Sequence, residues 1–583
     1  MRCVRRRFGL ARWPLIGLLL TPVSTLADTI VVGSGAGCTH SSLATAFLAA
    51  AVSSGSDTLI ITANQTHTGA VALNLTNEGS VTIRGGVSCA DTAEQQRDIT
   101  ATQGDLFEFV NTHATVRKLR LISDVNGGRP LTASGSSLIT LDDGAVLNAG
   151  KAGTGGNLYL SGGASLVMLS GSMIWHGAAT FDGGGVYCTG AGTVAIADGA
   201  LIRDNTAAFN GGGIYAASGC TVNLSAGGPS TFGATIFEGV WNNHADFNGG
   251  GIYTTTGANV NVLGSSAEAA SVRDNIAEKN GGGIYATGAG TRVEILSAEI
   301  VDNLSYEDGG GLYVGAGADL LMDRDLASCA RAVRCSLLEG NSNASLAGVT
   351  SEGGAIYVAG GATAAIRQTY VTGNTSLDEG NVALVDGSDS YLLLEGGVLY
   401  DNAGVGTHVF ARNGGHARVA FSSLWGSSTP GLGMYLLQAG NNGRVDLYSS
   451  LAVEGFGQAP TGGGPDKVFG PAGSGGQHFA RCAIAHETGS LPVVLPTTYL
   501  IETDPAQVWS SPATGDPHLR ADSDAIDYCD TSGHVPVDRD IDNEVRGLDD
   551  LGVADRFGNH DLGADERPPG AAPDAIFQNG FET

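Results

Sequence analysis

The 583-residue chain carries 90 glycines but only 17 prolines, 42% hydrophobic residues and a formal charge of −28. Glycine at about twice the ~7% of ordinary proteins, with so little proline, excludes collagen and proline-rich linkers, and the apolar content is too high for general disorder. The acidic balance repels nucleic acid and anionic lipid, and suits divalent cations or neutral partners.

Residues 1–27 read as a secretory signal. Arg2, Arg5, Arg6 and Arg7 form a basic start, residues 15–20 a short apolar core, and Thr25-Leu26-Ala27 a small-residue cleavage site that makes Asp28 the mature start. The apolar core is too short to span a bilayer, and no later run reaches about 18 apolar residues, so no transmembrane segment is expected. Without these 27 residues, 25 basic and 58 acidic residues remain, a net charge of −33. Eight cysteines remain after Cys3. An even number in an exported protein favours disulfides, and local pairing gives Cys38–Cys89, Cys188–Cys220, Cys329–Cys335 and Cys482–Cys529. The chain is thus expected to be secreted or on the cell surface, and monomeric.

Residues 41–52 (SSLATAFLAAAV) are the best helix candidate. Leu43, Phe47 and Ala50 share a face, and Ser41 or Ser42 can cap its start. The β-rich run DTLIIT follows at 57–62. A helix before short strands fits a plug over the open end of a β-solenoid. From about 80 to 450 the pattern is short strands between glycine-rich turns, for example SVTIRG, TVAIADG, TRVEILS and GRVDLYSSLAV. Alternate residues in them are aliphatic, as half-buried strands require.

Six near-identical pentapeptides punctuate this region. They are GGGVY ending at Tyr187, GGGIY at Tyr215, Tyr253 and Tyr285, GGGLY at Tyr313, and GGAIY at Tyr357. Asn205, Asn243, Asn275 and Asn303 each lie ten residues before a repeat tyrosine. Tyr187 to Tyr215 and Tyr285 to Tyr313 are both 28 residues, whereas Tyr215 to Tyr253 is 38 and Tyr313 to Tyr357 is 44. A fixed period without crossover helices predicts an all-β, right-handed, single-stranded parallel β-helix with a helical N-terminal cap and a C-terminal cap. The residue before each tyrosine should point inward, the glycines should permit φ > 0 and close approach of coils, and the asparagines should bond up and down the stack. The longer intervals imply an extra loop or an extra coil.

The GG(A/G)(I/V/L)Y element with its spaced DN pair resembles the polymorphic outer-membrane protein repeat of surface β-helices in the pectate-lyase-like class, over roughly residues 180–405. Autotransporter members of that group end in a membrane β-barrel, which the acidic segment before Thr583 does not resemble, so attachment is expected by another route. DPHLRADSDAIDYCD, DRDIDNEVRG and HDLGADE are similar to the closing segment of secreted β-helix proteins of the choice-of-anchor type, and the ending DAIFQNGFE resembles a short terminal tag of exported bacterial proteins. The expected organisation is signal 1–27, N-terminal cap and first coils 28–105, β-helix 106–510, C-terminal cap 511–566, and linker with tag 567–583.

Two constellations could carry chemistry. Asp182, Asn210, Asn248, Asn280, Asp308 and Glu352 precede the glycine runs as a polar column. It could bind sugar hydroxyls or supply paired carboxylates for glycoside cleavage, but Asx before glycine is also a turn former that repeats with the fold. Asp538, Asp540 and Asp542 alternate, and Asp549 stands where position 12 of a calcium loop would. Against that, Asn543 replaces the loop glycine, and pairing of Asp540 or Asp542 with Arg546 explains the acids without Ca²⁺. The histidines show no metal-ligand spacing, with His244 beside Asp246 the most interesting. The catalytic sets of pectate lyases and polygalacturonases are not found, so catalytic residues stay unassigned. The expectation is a non-enzymatic exported β-helix that binds a polysaccharide or cell-surface ligand. The alternative is a polysaccharide lyase or glycosidase working in a groove walled by residues 216–242, 314–340 and 406–480.

Overall fold

The structure is a computed structural model that describes residues 28–567 and 569, apart from 54, 76–78, 92, 170, 227–237, 266–268, 325–335, 345–348, 405, 427–434, 454–466, 487–498, 502–507, 510–515 and 568. The signal, the terminal tag, Cys329 and Cys335 lie outside the described residues. The rest is a parallel β-helix. Four sheets of 14, 16, 16 and 9 strands run along it, each ordered so that a strand pairs with its counterpart one coil away.

One coil shows the plan. Val186–Thr189 lies in the 14-stranded sheet (sheet I), Thr193–Ile196 and Leu201–Arg203 in the two 16-stranded sheets (II and III), and Thr206–Ala207 in the short sheet IV. The chain then crosses a glycine turn into Ile214–Ala217 of sheet I, paired so that Tyr215 sits on Tyr187. Val186, Ile214, Ile252, Ile284, Leu312 and Ile356 are buried in one continuous core, as their position before each tyrosine requires. Tyr215 pairs with Tyr253, and Tyr313 with Tyr357. The longer intervals therefore hold extra loops between neighbouring coils, and no additional coil.

The glycine triplet does two jobs. Gly249 has φ +67°, which only glycine adopts freely. At Gly250 an added Cβ would meet the Ile276 carbonyl at 2.4 Å and the Gly282 oxygen at 2.5 Å, both backbone of the next coil. Gly250→Ala is expected to pry two coils apart and lower stability by about 1–3 kcal/mol, the usual cost of overpacking. A urea midpoint within error of the wild type would refute this spacing role.

Helix α1 (Leu43–Val52) plugs the first coils. The Ser42 side chain accepts from Thr45 N, and Leu43, Ala46, Phe47 and Ala50 are buried. Phe47 packs on Phe107 and Phe109, with ring centroids 5.1 and 6.3 Å apart. Three of the expected disulfides form: Cys38–Cys89, Cys188–Cys220 and Cys482–Cys529, with Cα separations of 4.9, 6.1 and 5.7 Å.

The C-terminal segment packs along the flank of the rod. The Gln368 side-chain amide donates to the Asp540 and Arg539 carbonyls, Ala564 N donates to Ser423 Oγ, and Gly563 N donates to the Ser449 carbonyl. Beneath it lie outward residues of sheet III. Leu337, Tyr370, Val398, Trp425 and Leu451 form a second core with Trp509, Leu519, Ile526, Tyr528 and Leu562. Trp425 and Trp509 stack at 4.6 Å, and Cys482–Cys529 fastens the segment to the last coils.

Candidate functional site

Two ladders of side chains flank the glycine turns. The inner one runs from Asn157 and Asn205 through Asn243, Asn275, Asn303, Asn341 and Asn374 to Asn402, each 0–1% exposed. Each of Asn205 to Asn374 donates its amide Nδ2 to the next coil's Oδ1 at 2.9–3.1 Å. The ladder position of one coil is Gly177, and Asn157 reaches into the gap to bond Asn205 Oδ1. The outer ladder is the column of Asp182, Asn210, Asn248, Asn280, Asp308 and Glu352, and it runs the other way. Asn210 donates to Asp182, Asn248 to Asn210, and Asn280 to Asn248, while the Asp308 and Glu352 backbone amides donate to Asn280 and Asp308. Its amides are largely used on one another.

Outside this column, sheet I presents a tyrosine stack. Tyr159, Tyr187, Tyr215, Tyr253, Tyr285, Tyr313 and Tyr357 lie with centroids 4.5–5.3 Å apart and planes within 12°. Each ring covers its neighbours' faces, so the stack offers edges and hydroxyls. Burial raises the Tyr253 phenol to about 12, so its hydroxyl stays protonated at neutral pH.

A second aromatic stack occupies the corner before each Asx. Phe181, Phe209 and Phe247 are 55%, 40% and 38% exposed, with centroids 5.9 and 5.1 Å apart. Lys279 continues the column, its ammonium 5.3 Å from the Phe247 centroid and paired to Glu307 at 3.1 Å. One coil earlier the column holds Gly153, so the outer Phe181 face has no ring upon it. There a hollow of about 360 Å³ opens, lined by Asn126, Gly127, Lys151, Ala152, Gly153, Ala178, Ala179 and Thr180.

The outer column ends in a charged knot. Arg412 makes paired 2.6 Å bonds to Glu352 and a 2.9 Å bond to Asp386, which also accepts from the Tyr357 hydroxyl. Burial and the Glu352 charge push the Asp308 carboxyl up to about 7, and burial raises Glu379. Asp308 is therefore poised to exchange a proton near neutrality.

The acids proposed for calcium are dispersed. Asp542 groups with His518 and Asp565, Asp540 with Glu544 and Asp565, and Asp549 with Asp527 and Asp555. Asp540 is fully buried and accepts from the backbone amides of Asp542, Glu544 and Glu566, which makes it a turn organiser. Arg546 meets Glu566 at 3.9 Å and the Gly563 and Ala564 carbonyls. Burial opposes charge on His518, but Asp516, Asp542 and Asp565 outweigh it and hold its pKa up to about 12. His244 lies 3.0 Å from Glu278 and 3.6 Å from Asp246, a cluster at the surface in which His244 and Glu278 are half-buried and Asp246 is exposed.

No protein-family profile, curated protein or solved structure matches this chain. The phenylalanine column was readable, since Phe181, Phe209 and Phe247 each stand directly before an Asx of the motif. Arg412 carried no such signal, because Glu352 lies 60 residues away.

Proposed function

We propose that the chain is an exported β-helix protein that binds a neutral polysaccharide or cell-surface glycan along the corner between sheets I and IV. The observation that carries this reading is the exposed stack of Phe181, Phe209 and Phe247 leading into the hollow at Gly153. Contiguous exposed apolar surface marks binding sites, and an open ring face beside a polar-edged hollow suits a ligand with alternating C–H faces and hydroxyls. Asn126, Lys151 and Thr180 supply the polar contacts. The tyrosine hydroxyls next to it extend the surface at a regular pitch. Three disulfides and the basic-then-apolar N-terminus support export. The repeat's resemblance to polymorphic outer-membrane proteins of the pectate-lyase-like class supports a surface role.

The test is a glycan array followed by titration of any hit against Phe181→Ala and a Phe181→Ala/Phe209→Ala/Phe247→Ala variant. These rings are exposed, so folding should be kept while affinity falls tenfold or more. Unchanged affinity in the triple variant would sink the proposal.

A second reading, cleavage of a polysaccharide, draws on the Asp308 carboxyl, whose pKa near 7 suits a general acid beside Glu352. Reducing-sugar and unsaturated-product assays with and without Ca²⁺ decide it: turnover abolished by Asp308→Asn would establish cleavage.

A further inference from the structure

We propose that Asp527, Asp549 and Asp555 form a Ca²⁺ site that pins the loop at 549–556 to the C-terminal segment. Each offers a carboxylate oxygen, and the three oxygens lie within 4.8 Å of one another. Asp527 is 0% exposed, whereas Asp549 and Asp555 face solvent.

The second observation is an unfilled acceptor. The loop wraps around Asp527, with Asp550 N donating to its Oδ2 at 3.1 Å and Arg556 N to its carbonyl at 3.1 Å. Its other carboxylate oxygen, Oδ1, is buried and receives no hydrogen bond among the described residues. A buried carboxylate oxygen without a donor is costly, and the groups that approach are themselves acids. The nearby Arg556 guanidinium is turned to Asp524 and the Tyr528 ring. A cation between the three carboxylates removes both penalties.

The donor set suits Ca²⁺, which takes six to eight oxygens at roughly 2.3–2.6 Å in flexible geometry, better than Mg²⁺, which demands near-ideal octahedral geometry at roughly 2.0–2.1 Å. Two exposed carboxylates leave room for the waters that complete a shell of six to eight oxygens. Asp549 thus takes partners quite different from those of a loop starting at Asp538.

The experiment uses Tb³⁺ as the probe, because Tyr528 adjoins Asp527 and can sensitise its luminescence. In the full chain, Tb³⁺ should give a saturable signal that Ca²⁺ displaces at least tenfold better than Mg²⁺. Asp549→Asn and Asp555→Asn, both at exposed positions, should weaken binding tenfold or more and abolish the rise in thermal midpoint with Ca²⁺. Asp319→Asn, an equal charge change at an exposed solenoid position, should leave both unchanged. Absence of a saturable signal, or equal affinity in the two loop variants and the wild type, would overturn the site. So would equal loss in Asp319→Asn, since the acidic surface would then be collecting ions diffusely.

Discussion

Asn275→Ala is expected to lower stability by about 4 kcal/mol. Asn275 is 0% exposed and uses its whole bonding capacity. Its Oδ1 accepts from Asn243 N and Nδ2, each at 3.0 Å. Its Nδ2 donates to the Val240 carbonyl and to Asn303 Oδ1, each at 3.0 Å. Truncation removes four bonds at about 1 kcal/mol each and leaves the Asn243 backbone amide buried without a partner. Asn275→Asp should be no better. It keeps the acceptors but loses both donors, and it sets a charge against two oxygens. Urea unfolding at pH 7 measures the loss, and hydrogen exchange should show the Asn243 amide deprotected. A change below about 1 kcal/mol would mean that the ladder follows the fold without supporting it.

Asp308→Asn is expected to stabilise the protein at pH 8 and to do almost nothing at pH 4. The wild-type carboxyl is raised from 3.8 to about 7 by burial and by Glu352. An acid with a raised folded pKa binds more protons folded than unfolded. Its contribution to stability is therefore greatest below about pH 4 and is lost as pH climbs to about 7, at a cost of about 2–4 kcal/mol. Asparagine removes that penalty and still accepts from Glu352 N. Its amide can also donate to Asn280 Oδ1, as Asn280 does to Asn248. Urea midpoints at both pH values test this. Equal destabilisation at pH 4 and pH 8 would show that Asp308 acts through a contact and not through its charge.

The repeat was almost wholly legible. A solenoid coil touches mainly its two neighbours, so a residue type that pays no regard to period would spoil the stack. Hence GGGxY announced the inward aliphatics, the asparagines announced a ladder, and the Asx column announced its place at the turn. The two long intervals were ambiguous, because a spacing of 38 or 44 residues fits a loop as well as a coil. Only the pairing of Tyr215 with Tyr253 and Tyr313 with Tyr357 resolves it.

The lateral seat of the C-terminal segment left a trace that is clear in hindsight. Strands Ser423–Trp425 and Leu451–Val453 are buried at all three positions and end in Trp425 and Val453, where Leu201–Arg203 ends in the half-buried Arg203, as strands covered on both faces do. What covers them could not be named from the pattern. Ser423 meets Ala564 across 141 residues, and no period links the two.

The amino-acid order thus dictated everything that recurs from coil to coil: the β-helix, its core positions, its ladders and the cysteine pairs within reach of one another. Folding in three dimensions settled the contacts made once only: Arg412 on Glu352, the grouping of Asp527 with Asp549 and Asp555, and the closing segment against sheet III. The reason is physical. Nearest-neighbour stacking repeats the same constraint and writes it into the chain as a period, whereas a single long-range contact constrains two positions once and leaves no pattern to read.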